Sequence, residues 1–189
     1  MITIKEVSSP KDLKTFVKFP FQLYKDCKQW VPPIIKQELG TFDKKKNPIF
    51  ADAEAWFFLA YKNNEVVGRV AAIINWLEIN NQNQKKMRFG WFDVVDDIAV
   101  TEALLNKVHE IGKANQLDYV EGPVGFSNLD KVGLLTQGYE HVGSMITWYN
   151  YPYYVEHFKS LGYTDEKLYA ESRFPFSNVN LSFLKKLKN

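Results

Sequence analysis

The chain has 189 residues, 46% apolar and 24% charged, with a formal net charge of +2. Those proportions exclude a disordered chain, and so slight a charge offers no bulk attraction for nucleic acid. No apolar run approaches the roughly 18 to 20 residues of a membrane span, Met1–Val7 is too short and mixed for a signal peptide, and the one cysteine, Cys27, has no internal disulfide partner. The expectation is a single cytoplasmic domain over residues 1–174, without membrane association, followed by a tail.

In chain order, Ile2–Val7 alternates apolar and polar residues and predicts a strand. Ser8 or Ser9 offers an N-cap ahead of Pro10, which predicts a helix to about Val17. Phe19-Pro20 should interrupt it, and Phe21–Trp30 reads as a second short helix ended by Pro32-Pro33. Ile34–Ala53 is irregular and carries Lys44-Lys45-Lys46; the first fifty residues hold ten lysines against five acids. Ala55–Tyr61, the turn Lys62-Asn63-Asn64-Glu65 and Val66–Asn75 form a hairpin, with asparagine suited to positive φ. Trp76–Lys86 is polar and reads as a loop with at most a helical turn, and Met87–Val95 is the third strand of the meander.

An acidic corner, Asp96-Asp97, then leads into a helix with Val100, Leu104, Val108 and Ile111 on one face. Glu102, Asn106, His109 and Lys113 fall on the other, so His109 is expected exposed and without chemistry. Leu117–Gly122 is a strand ending at Gly122-Pro123. Asn128–Gln137 suggests a short helix stopped at Gly138, Pro152–Leu161 a helix stopped at Gly162, and Tyr163–Phe174 a final strand. Residues 175–189 place Leu181, Leu184 and Leu187 among lysines, as an amphipathic tail or the start of a linker. Aromatic residues make up 15% of the chain and cluster at Trp56-Phe57-Phe58 and Tyr149–Tyr154. They serve a core and its rim, an aromatic-lined pocket, or a homodimer face.

The order β, α, α, β, β, β, α, β, α, β predicts an α/β fold with a mixed sheet. An antiparallel meander is followed by one parallel strand–helix–strand crossover, with helices on both faces. Phe58-Leu-Ala-Tyr-Lys-Asn-Asn-Glu-Val-Val-Gly-Arg69 and His157-Phe-Lys-Ser-Leu-Gly-Tyr163 resemble segments of the GNAT (N-acetyltransferase) superfamily. Phe19-Pro-Phe…Trp30-Val-Pro-Pro, Lys45-Lys-Asn-Pro, Arg88-Phe-Gly, Gly122-Pro-Val-Gly-Phe and Tyr149-Asn-Tyr-Pro-Tyr-Tyr154 resemble a group of bacterial GNAT-like proteins of unassigned substrate. The matches run from about residue 19 to 174.

The resemblance implies an acyl-CoA-dependent N-acyltransferase acting on a small-molecule or peptide amine. Acetyl-CoA would lie where the fourth and fifth strands splay apart, against Val94, Val95, Ile98, Ala99, Val100 and Asn128. The superfamily's pyrophosphate loop carries glycines and arginine or glutamine; this chain has Asp93-Val-Val-Asp-Asp-Ile-Ala-Val there, with three acids and no glycine. Lys44–Lys46 could supply phosphate-neutralising charge instead. Phe158 stands where the superfamily often has an acidic tyrosine, leaving Tyr153 or Tyr154 as the general acid and Asp93 as the base. The alternative is a GNAT-fold ligand-binding or interaction module that no longer binds CoA. The three histidines show no metal-like pairing, and no P-loop, dinucleotide fingerprint or nucleophile elbow is present.

Overall fold

The structure, a computed structural model, describes residues 1–127, 129–144, 149–172, 174, 175 and 177. Five strands, β1 (Ile2–Glu6), β2 (Ala53–Lys62), β3 (Glu65–Asn75), β4 (Lys86–Val94) and β5 (Tyr119–Glu121), form one sheet in sequence order. Neighbours are antiparallel as far as β4; β4 and β5 are parallel. Five helices accompany them: α1 (Pro10–Leu23), α2 (Ile35–Thr41), α3 (Trp76–Gln82), α4 (Ile98–Ala114) and α5 (Tyr153–Ser160). The parallel pair is joined through α4, so the meander and crossover stand as the element order implies.

Ser9 caps α1 in a reciprocal box with Asp12, and Pro10 occupies the first turn. The helix does not stop at Pro20, as expected, but runs through it to Leu23. Proline has no N–H for the carbonyl four residues back. That carbonyl, Phe16 O, instead accepts from Arg69 Nη1 at 2.9 Å, so a cation from β3 satisfies what the proline leaves open. The irregular 34–53 stretch contains α2 and a 3-10 turn, Pro48–Ala51. Trp76–Gln82 is a helix rather than a loop, because Asn75 accepts from the N–H groups of Leu77 and Glu78. The β2–β3 turn has Asn63 and Asn64 at φ 51° and 65°, the geometry that asparagine tolerates.

Alternation along the strands makes two apolar layers. Phe58, Ala60, Val70, Ala72, Ile74, Met87 and Phe89 pack under α4 and α5. Phe57, Leu59, Ala71, Ile73 and Trp91 pack under α1 and the end of α2. On β4 every residue is buried, and its parity changes at a bulge where Trp91 and Phe92 both face Val70. Trp91 sits at φ 43°, a conformation rare for a bulky side chain.

Three expected elements are absent from the described residues. Phe21–Trp30 is no separate helix: residues 21–23 close α1, and turns follow, with Cys27 N on Tyr24 O and Trp30 N on Cys27 O. Residues 129–137 form no helix; Asp130 folds back to accept from Ser127 N, and Val124 bridges to Val132. Residues 163–172 form no strand: Leu168 and Tyr169 are exposed, so the near alternation of that segment has no face to bury. The tail expected over 175–189 lies almost wholly outside the described residues. β5 is only three residues long and pairs with positions 86–88, and beyond it Val124 N still donates to Phe89 O at 2.7 Å.

The approach of β4 to the chain after β5 leaves no room at Gly90, where an added Cβ would lie 2.4 Å from the Val124 carbonyl oxygen. Gly90→Ala should therefore destabilise the protein by about 2 kcal/mol or more in urea unfolding. A neutral result would mean that this contact is not held in solution.

Candidate active site at the bulged end of β4

The bulge turns Asp93 toward the α1 side of the sheet, directly opposite Arg69 on β3. The two are 4% and 2% exposed, and Arg69 Nε donates to Asp93 Oδ2 at 2.7 Å. Burying either charge alone would cost several kcal/mol. Here the cation also reaches Phe16 O and lies 5.0 Å over the Phe16 ring, while Tyr24 donates its hydroxyl to Asp93 Oδ1 at 3.1 Å.

A chain of hydrogen bonds continues from there. The hydroxyls of Tyr24 and Tyr154 are 3.0 Å apart, and Tyr154 accepts from Val94 N at 2.8 Å. Tyr24 has one proton and directs it to the carboxylate, so Tyr154 is the donor to Tyr24. Tyr153 donates to Val94 O at 2.7 Å. Val94 N and Val94 O are thus both met by hydroxyls of α5. Burial, followed by the Tyr154 phenol and Asp93, pushes Tyr24 well above its ordinary value; burial and Asp93 do the same for Tyr154. Burial also raises Tyr153.

Asp93 and Arg69 form the floor of a cleft walled by Pro20, Trp30, Val31, Pro33 and Tyr149. Glu38 and Lys131 enter from its sides. Glu38 Oε2 accepts from Trp91 Nε1 at 2.9 Å, which ties α2 to the bulge residue. Burial raises the Glu38 carboxyl despite Arg69, and burial lowers the Lys131 ammonium despite Glu38 and Asp93. Exposed Val31 and Ile34 lie in the segment that forms the rim. The cleft thus has a charged floor and an aromatic, apolar mouth.

Of the residues singled out in the sequence, Asp93, Tyr153, Tyr154 and Val94 come together here. Tyr24, Glu38, Arg69 and Lys131 join them and were not singled out. Arg69 carried a signal: a lone cation inside the apolar run of β3, where an unpaired charge has no place. Glu38 lies in a stretch without periodicity, and Lys131 in a loop, so nothing local marks either.

Val95, Ile98, Ala99 and Val100 lie at the acidic corner. Asp97 caps α4, accepting from Ala99 N at 3.1 Å through its side chain and from Val100 N at 3.0 Å through its carbonyl. Lys62 Nζ stands 2.7 Å from Asp97, and that hydrogen bond holds the carboxyl below its usual range. Asp96 is exposed and meets His157 Nε2 at 3.2 Å, while His157 Nδ1 meets Thr101 Oγ1 at 2.9 Å. A pyrophosphate does not fit this corner: Asp97 consumes the donors of the first turn, and carboxylates line the approach. The lysine run is no substitute. Lys44 packs near Phe50 just before β2, whereas Lys62, at the corner, ends that ten-residue strand, roughly 30 Å away. Asn128 lies outside the described residues. His109, expected exposed, is half-buried and bonds Tyr163 at 2.7 Å.

No family model matches the chain. It is 29% identical over 161 residues to Protein YghO of Escherichia coli (strain K12), covering 85% of this chain and 41% of that protein. It is 29% identical over 140 residues to the bacterial ceramide synthase of Caulobacter vibrioides (strain NA1000 / CB15N), covering 74% of this chain and 36% of that one. The chain thus spans about two-fifths of the length of these relatives. Among solved structures, it superposes on a Clostridium acetobutylicum protein described as a predicted acetyltransferase with acetyl-CoA. The TM-score is 0.53 at 14% identity, over 92% of this chain and 96% of that one. A soil-metagenome aminoglycoside acetyltransferase in complex with sisomicin gives 0.54 at 12% identity, over 93% and 96%.

The fold is that of the GNAT acetyltransferases. Similarity at this level defines the architecture and leaves the substrate to the site itself.

Arg69→Ala would leave the Asp93 carboxylate buried without its cation and Phe16 O without a donor. The expected loss is about 3–5 kcal/mol in chemical denaturation. The pair Arg69→Met with Asp93→Leu should recover a good part of it. If the single and double variants lost stability equally, the ion pair would not be what holds the floor together.

Proposed function

We propose that this chain is an N-acyltransferase domain that moves an acyl group from a thioester of the acetyl-CoA class to a primary amine seated over Asp93. The observation that carries this reading is the presence of two differently placed carboxylates in one cleft at the β4 bulge, half-buried Glu38 at its side and buried Asp93 on its floor. The GNAT fold supports it. So does the relative named a ceramide synthase, since a ceramide is an amide of a long-chain amino alcohol. The apolar wall of Trp30, Val31 and Pro33 suits an amine that carries an apolar portion.

An amine reaches the cleft as an ammonium ion and must lose one proton before its lone pair can attack and a second afterwards. Glu38 takes the first: burial lifts its carboxyl toward the operating range of a base. Asp93 takes the second, held in place by Arg69 and Tyr24. Tyr153 or Tyr154 of α5 returns a proton to the leaving group, each after turning its hydroxyl from its present acceptor, Val94 O and Tyr24 respectively. The donor supplies an activated carbonyl carbon at the β4 edge beside Val94 and Val95. Ile98, Ala99 and Val100 border its path without offering a phosphate seat.

Two measurements test this. By calorimetry, acetyl-CoA should bind within about threefold of S-acetylpantetheine, because the phosphates find no helix N–H groups to hold them. A hundredfold preference for acetyl-CoA would overturn that assignment of the corner. If neither compound binds and no amide forms from any amine, acyl transfer falls, and the acidic corner then favours a ligand-binding module without CoA.

The second concerns pH. A carboxyl raised on folding contributes stability below its unfolded value and loses it as pH rises through the folded value. Glu38 is therefore a cost at neutral pH. Glu38→Gln should raise the melting temperature at pH 7 while abolishing the acid limb of the kcat/KM profile. An unchanged acid limb would remove Glu38 from the chemistry.

A further inference from the structure

Four charged side chains line the cleft: Glu38, Arg69, Asp93 and Lys131. The two carboxylates take protons, and Arg69 holds one of them in place. Lys131 does neither, yet the loop that carries it is pinned on both sides. Before it, Asp130 Oδ2 accepts from Ser127 N at 2.9 Å, and Asp130 N donates to Ser127 O at 3.1 Å. The turn packs so closely that a Cβ on Gly125 would lie 2.4 Å from Asp130 Cβ. After it, Val132 bridges to Val124, and Gly133 N donates to Pro123 O at 2.8 Å. Lys131 is therefore directed into the side of the cleft, where it is half-buried. The charges of Glu38 and Asp93 both reach it there.

An amine over Asp93 changes the balance of this cleft. An ammonium brings three donors and no acceptor, and Arg69 and Lys131 are donors only. Asp93 already accepts from Arg69 and Tyr24, and Glu38 from Trp91. Once Glu38 takes the first proton of the amine, its charge no longer offsets Lys131, while the Arg69 cation still acts against it. A half-buried ammonium that loses its counter-charge needs another acceptor. The wall of Trp30, Val31 and Pro33 offers no side-chain acceptor. We infer that Lys131 is a specificity-determining residue that donates to an oxygen of the amine substrate, carried on the carbon next to the one that bears the nitrogen. The substrate class is then a 2-amino alcohol or a 2-amino acid with an apolar chain, and a plain alkylamine is a poor acceptor of the acyl group. The inference rests on the acyl-transfer reading above. Lys131 meets neither the acyl group nor the proton in flight. It selects which amine is held over Asp93, and the apolar chain leaves toward the mouth.

The test offers four amines of equal chain length, with S-acetylpantetheine as the donor: decylamine, 10-aminodecan-1-ol, 2-aminodecan-1-ol and 2-aminodecanoic acid. In the native protein, kcat/KM for the better of the two 2-amino compounds should exceed that for decylamine by about thirtyfold. 10-Aminodecan-1-ol, whose oxygen lies at the far end of the chain, should behave as decylamine does. Which 2-amino compound is the better one separates a carboxylate from a hydroxyl as the oxygen that Lys131 meets. Lys131→Met, which keeps an apolar stem of similar length, should remove the advantage and leave decylamine within about threefold of its native rate. An equal fall with all four amines means a structural role for Lys131 and overturns the inference. A native protein that takes decylamine as readily as the 2-amino compounds overturns it without any variant. A native protein that acylates none of the four overturns the acyl-transfer reading instead.

Discussion

The buried pair of Arg69 and Asp93 is the interaction on which the rest of this structure turns. It joins β3 to β4 just beyond the bulge. Through Phe16 O it also positions α1, because Pro20 leaves that carbonyl without its helical partner. A helix that would otherwise break is held continuous by a side chain from the sheet beneath it. Tyr24, at the C-terminal end of that helix, is then delivered to the second oxygen of Asp93. Fold and site share the same few atoms, so the buried charge is kept despite a desolvation cost that an apolar pair would avoid.

The same region has contacts to both surfaces of the sheet. The bulge sets Trp91 at positive φ and secures it with Phe42, Phe126 and the carboxylate of Glu38. Strained residues of this kind persist only where their surroundings over-determine them, and they cluster at functional sites. On the α1 side lie the cleft and its carboxylates. On the other side, the N–H and carbonyl of Val94 are met by two hydroxyls of α5. The acidic corner beyond keeps the strand–helix geometry of an anion site but uses it for internal capping: Asp97 holds α4, Lys62 neutralises Asp97, and His157 joins Asp96 to Thr101.

Much of the architecture was legible in the residues because it rests on local chemistry. The hairpin follows from Asn63-Asn64 between two apolar runs, α4 from its apolar face behind a capping aspartate, and α5 from its stop at Gly162. The failures have physical causes as well. Pro20 reads as a helix break because the donor that rescues Phe16 O lies 53 positions away. Trp76–Gln82 lacks an apolar stripe, and its cap at Asn75 was hidden inside a strand assignment. The near alternation of residues 163–172 imitates a strand but meets no partner. At the site, the position of Asp93 at a strand end and the tyrosines of α5 stood out. Glu38 and Lys131 could not, since each becomes a site residue only by packing across the cleft.

The sequence alone determined the order of elements, the antiparallel meander with its one parallel crossover, and the acidic character of the corner after β4. These depend on periodicity, turn chemistry and caps, all set within a dozen residues. Tertiary structure decided what the corner and the charges do. It placed Arg69 against Asp93, turned the acids of the corner into a cap rather than a phosphate seat, and connected Asp93 to Val94 through Tyr24 and Tyr154. Those outcomes depend on contacts between residues 24 to 130 positions apart, whose geometry is fixed only when the two layers close on the sheet.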